Sequence, residues 1–163
     1  MNLVVRYANP NDFDQILRLN EELVHFLSPL TKEKLEQLHN QSEIHQVVSE
    51  DEKIYAFCLA LREGKDYDSV NYRWFSDHYP RFLYVDRVVV DIDYQALGLG
   101  KLLYEEVFKH ARNTNVPIVT AEIDIKPPNP VSLKFHERYG FKEVGQQKVA
   151  DGKKIVSLQV LEL

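Results

Sequence analysis

The stretch Val88-Val89-Val90-Asp91-Ile92-Asp93-Tyr94-Gln95-Ala96-Leu97-Gly98-Leu99-Gly100-Lys101 carries the clearest chemistry in this chain. A valine-rich strand runs into a glycine-bearing turn, and the turn opens a helix. Such a turn aims several backbone N–H groups at one point, where the helix dipole adds partial positive charge. Gly98 and Gly100 let the backbone come close to a phosphate, and Lys101 adds a cation. The residue types point to a pyrophosphate. A Walker loop is excluded because Leu102, not Ser or Thr, follows Lys101. The dinucleotide fingerprint is excluded because Leu103 stands where it needs a third small residue.

Other polar groups interrupt segments that are otherwise apolar. Asn129-Pro130 opens a short predicted helix that ends at Gly140. At about 100° per residue, Asn129, Ser132, His136 and Tyr139 fall within an arc of roughly 80°, a polar stripe. Asn129 is also a good helix cap, and capping leaves its amide N–H₂ able to reach a ligand. Thr120, Glu122 and Asp124 share one face of a predicted strand. Asp86 shares a face with Tyr84, Val88 and Val90, with Arg87 beside it as an ion-pair partner. Cys58 sits among apolar strand residues with nothing nearby to lower its pKa, and reads as a small core residue rather than a nucleophile.

These groups need elements to hold them. Residues 2–8 read as a first strand. Asn9-Pro10-Asn11 opens a helix whose stripe is Phe13, Ile16, Leu17, Leu23, Val24 and Leu27, with Asn20 on the same side, and Ser28-Pro29 stops it. Thr31 caps a second helix that buries Leu35 and Leu38. Strands follow at 45–49 and 54–62. The aromatic segment 64–80 lacks a period and reads as a structured loop or insertion. Strand 83–90 precedes an amphipathic helix over 99–112 that turns Leu99, Leu102, Leu103, Val107 and Ala111 inward. A strand at 118–125, the short helix, and a hairpin of strands 142–149 and 153–161 around Asp151-Gly152 complete the chain. The order predicts an α/β (α+β) fold, one domain over 1–163 with a mixed central sheet and flanking helices.

Composition narrows the function. With 163 residues, 44% of them hydrophobic, the chain can bury a sizeable core. A net charge of −5 argues against non-specific nucleic-acid binding. One cysteine makes no disulfide framework, and no metal site is expected. No apolar run is long enough to span a bilayer, and no secretory signal is evident, so no membrane role is expected and the cytoplasm is the default location. The C-terminal strand, with Ile155, Val156, Leu158, Val160 and Leu161, could pair across a homodimer.

Gln95-Ala96-Leu97-Gly98-Leu99-Gly100 resembles the acetyl-CoA pyrophosphate motif of the GNAT N-acetyltransferase superfamily. Asn129-Pro130-Val131-Ser132-Leu133-Lys134-Phe135-His136-Glu137-Arg138-Tyr139-Gly140-Phe141 resembles that family's second motif, in the family's order and spacing. The likeness is specific from about Leu83 to Val144 and suggests a poorly characterised bacterial-type branch. It implies a sheet splayed between its fourth and fifth strands, with acetyl-CoA in the opening. It implies cofactor contacts from Val88, Val89 and Val90 along the pantetheine arm, the backbone of Val88 and Val90 bonding to it. It places the pyrophosphate on Gln95, Ala96, Leu97, Gly98, Leu99, Gly100 and Lys101, with Asn129, Ser132 and Phe135 as further contacts.

Acetyl transfer to an amine needs a base, an oxyanion stabiliser and an acid for the leaving thiolate. By the resemblance, Asp86 is the first candidate base and Glu122 the second. Many members carry a tyrosine at the position of His136, where its hydroxyl protonates the thiolate. Here His136 takes that place, and Tyr139, one turn away, is the alternative acid. In this fold the first helices and the segment before the fourth strand shape the acceptor site. Tyr67, Tyr72, Trp74, Phe75, Tyr79 and Phe82 could cage a cation there or form the core beneath a loop, and the core reading is preferred. The expected function is direct transfer to a small-molecule amine through a ternary complex. The competing readings are a non-catalytic module that senses acyl-CoA, acetylation of a protein lysine or N-terminus, and a hydroxyl acceptor or longer acyl donor on the same fold.

Overall fold

The computed structural model describes residues 2–23 and 27–163, so Val24 of the predicted first helical stripe lies outside the described residues. The chain forms two compact units, Met1–Leu61 with Val85–His110, and Arg62–Tyr84 with Ala111–Leu163.

The first unit holds β1 (Val4–Tyr7), α1 (Phe13–Glu22), α2 (Lys32–Gln41), β2 (Ile44–Glu50), β3 (Lys53–Arg62, as far as Leu61), β4 (Leu83–Val90, from Val85) and most of α4 (Leu99–Asn113). Its strands follow the order β1-β2-β3-β4, with β1–β2 and β2–β3 antiparallel. A capping box of Asn9 and Asp12 starts the first helical segment, and Arg6 grips the Asp12 carboxylate with bonds of 2.8 and 2.9 Å. α1 stops at Glu22, earlier than Ser28-Pro29, because Leu23 leaves the helical conformation and its N–H closes back on Asn20 and Glu21. Thr31 Oγ1 accepts from Lys34 N and begins α2 as predicted. α4 buries Leu99, Leu103, Val107 and Ala111, but Tyr104 and Phe108 share that face and Leu102 is only half-buried.

His45 on β2 is 3% exposed, its Nδ1 2.8 Å from His39 Nδ1, with the rings of Phe13 and Phe57 against it. Burial, helped by repulsion from His39, pulls its pKa from 6.5 to about 3. The sign follows: between pH 6.5 and about 3 the unfolded chain binds a proton that the folded chain refuses, so stability falls as pH falls through that window. The slope should reach about 1.4 kcal/mol per pH unit. Denaturant midpoints from pH 7 to pH 5 should drop more steeply for the parent than for His45→Asn. Parallel curves would refute the assignment.

The second unit holds the end of β3, α3 (Val70–His78), the start of β4, β5 (Ile118–Lys126), α5 (Pro130–Tyr139), β6 (Lys142–Val149) and β7 (Lys154–Glu162). Its strand order is β4-β5-β7-β6. The β4–β5 step is parallel and is confined to Leu83↔Val119 and Tyr84↔Thr120, while β5–β7 and β7–β6 are antiparallel.

The structure corrects two expectations here. Residues 64–80 are not a loop throughout. Ser69 Oγ accepts from Tyr72 N and starts α3, which buries Tyr72 and Phe75. The helix is short and its apolar stripe is only those two rings plus Tyr79, too few repeats for a period to show. Tyr67, Tyr72, Phe75 and Phe82 are buried, as the core reading requires, and Tyr72 Oη donates to Arg62 O at 2.7 Å. Trp74 packs over Gly145, where an added Cβ would lie 2.8 Å from Cζ2. The second correction concerns β7. It pairs with β5 on one side and β6 on the other, so it has no edge with which to pair across a dimer.

Candidate active site

In the first unit, β4 alternates as its sequence suggests: Val85, Arg87 and Val89 are buried, Val88 and Val90 are half-buried, and Asp86 is partly exposed as a residue although its side chain is not. The chain then turns tightly. Asp91 N donates to Tyr55 O (2.8 Å), Asp91 Oδ1 accepts from Asp93 N (3.0 Å), and Tyr94 N returns to Asp91 O (2.9 Å). Gln95, Ala96, Leu97 and Gly98 follow as an exposed loop. Ala96 (φ 71°) and Gly98 (φ 78°) are both left-handed, so the loop reverses twice before α4. The first α4 bond runs from Leu102 N to Gly98 O, which leaves the amides of Leu99, Gly100 and Lys101 as the helix's opening donors. Nothing lies within 4 Å of a Cβ built on Gly98. The result is an open turn with several backbone donors at its end, the kind of local geometry that suits an anion. Lys101 is exposed and lies 3.9 Å from Glu105.

Asp86 is not an isolated carboxylate. Arg87 Nε donates to its Oδ2 at 2.6 Å, with the two side chains only 3% and 2% exposed. The same guanidinium reaches Asn20 Oδ1 (2.9 Å), Ser28 O (3.0 Å) and Ser28 Oγ (3.1 Å). Arg87, Asn20 and Ser28 were not among the predicted site residues. Their signal was present: an arginine on the buried face of a valine strand and an asparagine on a buried helical stripe survive only if paired. Cys58 is fully buried, and its thiol is pushed up to about 12, chiefly by burial with the Asp86 charge adding to it. Both features disfavour the thiolate that a nucleophile needs.

In the second unit, Glu122 Oε1 accepts from Tyr84 Oη at 2.7 Å. Lys154 Nζ lies 3.4 Å from Asp124 Oδ2, yet burial still holds the Asp124 carboxyl above its usual value. The predicted stripe on α5 is a chain of contacts. Asn129 Oδ1 accepts from Ser132 N (3.3 Å), and His136 Nδ1 lies 2.7 Å from Ser132 O and 3.3 Å from Ser132 Oγ. Only the protonated nitrogen can face a carbonyl at that distance, so Nδ1–H donates and the neutral ring offers Nε2 as an acceptor. Burial holds the pKa of His136 below its ordinary value, and the ring is buried rather than on the helix surface. Tyr139 and Phe135 meet edge to face with centroids 5.2 Å apart.

Glu122 and α5 occupy opposite sides of β5. The register places Gly145 and Gln147, which meet Trp74 and Asn71 of α3, on the Glu122 face. Gly140, at the end of α5, abuts Leu161, the partner of Val119 on the other face. A cleft of about 450 Å³ between α3 and the loop before it is lined by Glu63, Arg73 and the aromatics Tyr67, Tyr72 and Tyr79, among others, and by none of the predicted catalytic or cofactor-binding residues. Among the described residues, no helix is long and apolar enough to cross a membrane, and no group of His, Cys, Asp or Glu could hold a metal ion.

A family model described as "Acetyltransferase (GNAT) family" matches residues 11–141. No curated protein sequence matches the chain. Many solved structures share its fold. Ard1 from Thermoplasma volcanium superposes with a TM-score of 0.81 at 14% identity, over 100% of this chain and 99% of that one. yncA from Salmonella typhimurium, solved with its cofactor acetyl-CoA, gives 0.73 at 19%, over 100% and 95%. The ribosomal-protein-S18-alanine N-acetyltransferase from Escherichia coli gives 0.72 at 17%, over 98% and 93%. At these identities the likeness concerns the fold.

Proposed function

Because the chain belongs to the acetyltransferase (GNAT) family and is thereby an acetyl-CoA-dependent N-acetyltransferase, we propose that it moves the acetyl group directly to a small-molecule amine through a ternary complex, with residues 1–163 acting as one domain. The observation that carries this reading is the exposed loop Gln95–Gly98 leading into the N-terminus of α4, with Lys101 at its end. In this reading Gln95 to Lys101 hold the pyrophosphate. The backbone of Val88 to Val90 lines the pantetheine arm, and Asn129, Ser132 and Phe135 add contacts.

The amine nitrogen attacks the thioester carbonyl carbon, a C–N bond forms, and the C–S bond breaks. The amine proton passes to Asp86 or Glu122, and the departing thiolate takes a proton from α5. For that last step we assign Tyr139 ahead of His136, whose Nδ1–H is committed to Ser132 O. The inert thiol of Cys58 supports direct transfer over an acetyl-cysteine intermediate. A second reading, acetylation of a protein N-terminus, is favoured by the alanine named for the Escherichia coli neighbour.

The test is thiol release from acetyl-CoA with a panel of small amines and, separately, peptides with free N-termini. Acetyl-CoA binding with turnover on small amines supports the first reading. Turnover on peptides alone supports the second. Binding without turnover on either panel would leave an acyl-CoA-sensing module and overturn the enzymatic assignment.

A further inference from the structure

Resting on the acetyl-CoA reading above, we propose that Lys53, Tyr55 and Tyr94 form a strap that positions the phosphate loop for coenzyme A. Tyr94 is the residue immediately before Gln95, so its placement sets where the loop begins. Its ring stands edge-on to Tyr55 at 4.6 Å and 75°. Lys53 Nζ sits 5.0 Å from the Tyr55 centroid and 5.3 Å from that of Tyr94, joining the two rings through one cation. The backbone repeats the link, since Tyr55 O accepts from Asp91 N.

Lys53 is itself fixed from both sides. The Gln15 amide of α1 donates to Glu52 O at 2.7 Å and accepts from Ile54 N at 2.9 Å, bracketing Lys53 at the start of β3. The strap therefore runs from α1, through the start of β3 and the two rings, to the first residue of the loop. The loop needs such an anchor. It contains the left-handed Ala96 (φ 71°), a conformation that non-glycine residues adopt only at a cost. Gln95 adds a long side-chain bond of 3.4 Å to Val90 O. A loop that populates its binding conformation only part of the time loses affinity in the same proportion.

The test is calorimetric titration of acetyl-CoA and of its 3′-dephospho form into the parent, Tyr94→Leu, Tyr94→Phe and Lys53→Met, with melting temperatures recorded beside each. Tyr94→Leu removes both ring contacts and should weaken both ligands by roughly tenfold. Tyr94→Phe keeps the ring and should stay within about twofold of the parent. Lys53→Met, an exposed position, should weaken both ligands equally, by roughly threefold. Unchanged affinity of a folded Tyr94→Leu, with only its melting temperature lowered, would make the strap merely structural and overturn the proposal. So would a loss in Lys53→Met confined to the 3′-phosphorylated ligand, which would make Lys53 a direct ligand contact. If the parent binds and the variants match it, the strap alone fails. If the parent binds no acetyl-CoA, the cofactor reading fails and takes the strap with it.

Discussion

Gly98→Asp is expected to abolish acetyl-CoA binding while leaving the protein folded. Gly98 lies at φ 78° with nothing within 4 Å of an added Cβ, so a side chain meets no steric obstacle. Aspartate and asparagine both tolerate this left-handed conformation better than other residues. The carboxylate, however, would stand beside the opening amides of α4, where the proposed pyrophosphate would sit. Two unit charges about 4 Å apart at an effective dielectric of 20 repel by about 4 kcal/mol, worth roughly a thousandfold in affinity. Gly98→Asn has the same shape without the charge and should cost no more than about tenfold, the order expected from lost backbone approach and mild strain. Calorimetry on the two variants separates charge from shape. Equal losses in both would show that the backbone conformation, rather than the anion site, governs binding, and wild-type affinity in Gly98→Asp would remove the pyrophosphate from this loop.

Arg87→Met should produce the largest loss of stability. The guanidinium serves four acceptors at once, namely the Asp86 carboxylate, the Asn20 side chain, and the carbonyl and hydroxyl of Ser28. Methionine fills much of the volume and supplies no donor. Removing one partner from a buried ion pair typically costs about 3–5 kcal/mol, a large part of the ~5–15 kcal/mol by which domains are stable. At roughly 2–4 °C per kcal/mol for a chain of this size, the melting temperature should fall by about 10 °C. Asp86→Asn introduced into Arg87→Met should recover part of the loss, since it removes the charge left without its guanidinium. A fall of less than about 1 kcal/mol in Arg87→Met, or no recovery in the double variant, would contradict a load shared through the ion pair. This network also bears on catalysis. Asp86 can act as a base only from within it, so substitutions at Arg87 will alter turnover and stability together, and the two must be measured on the same samples.

Much of the candidate site was legible before any tertiary structure. The strand at 83–90, the turn through Gly98 and the helix from Leu99 were readable because each depends on local rules: β-branched runs, glycine at left-handed positions, and a 3.6-residue apolar period. The polar stripe of α5 and its Asn129 cap followed from the same spacing, as did Gly140, left-handed at φ 95°, as the helix terminator. Family membership was readable there too, because both motifs lie within short stretches of chain.

What the tertiary structure alone decided are relations between residues distant in sequence. Whether Asp86 stood alone or in an ion pair depended on Asn20 and Ser28 coming to Arg87 from far along the chain. Glu122 shares its strand face with α3 and not with α5 because of the register of β5, β7 and β6, which no local pattern encodes. α3 escaped notice because its stability comes from Tyr72 and Phe75 packing against Tyr84 rather than from its own nine residues, fewer than an isolated helix needs. The protonation state of His136 likewise rests on a carbonyl one turn back together with burial that spacing does not report. The sequence by itself determined the strand, turn and helix that form the proposed phosphate loop, and which family the chain belongs to. Only the assembled structure decided which polar groups are held by partners, because pairing and desolvation are set by neighbours that the chain brings together on folding.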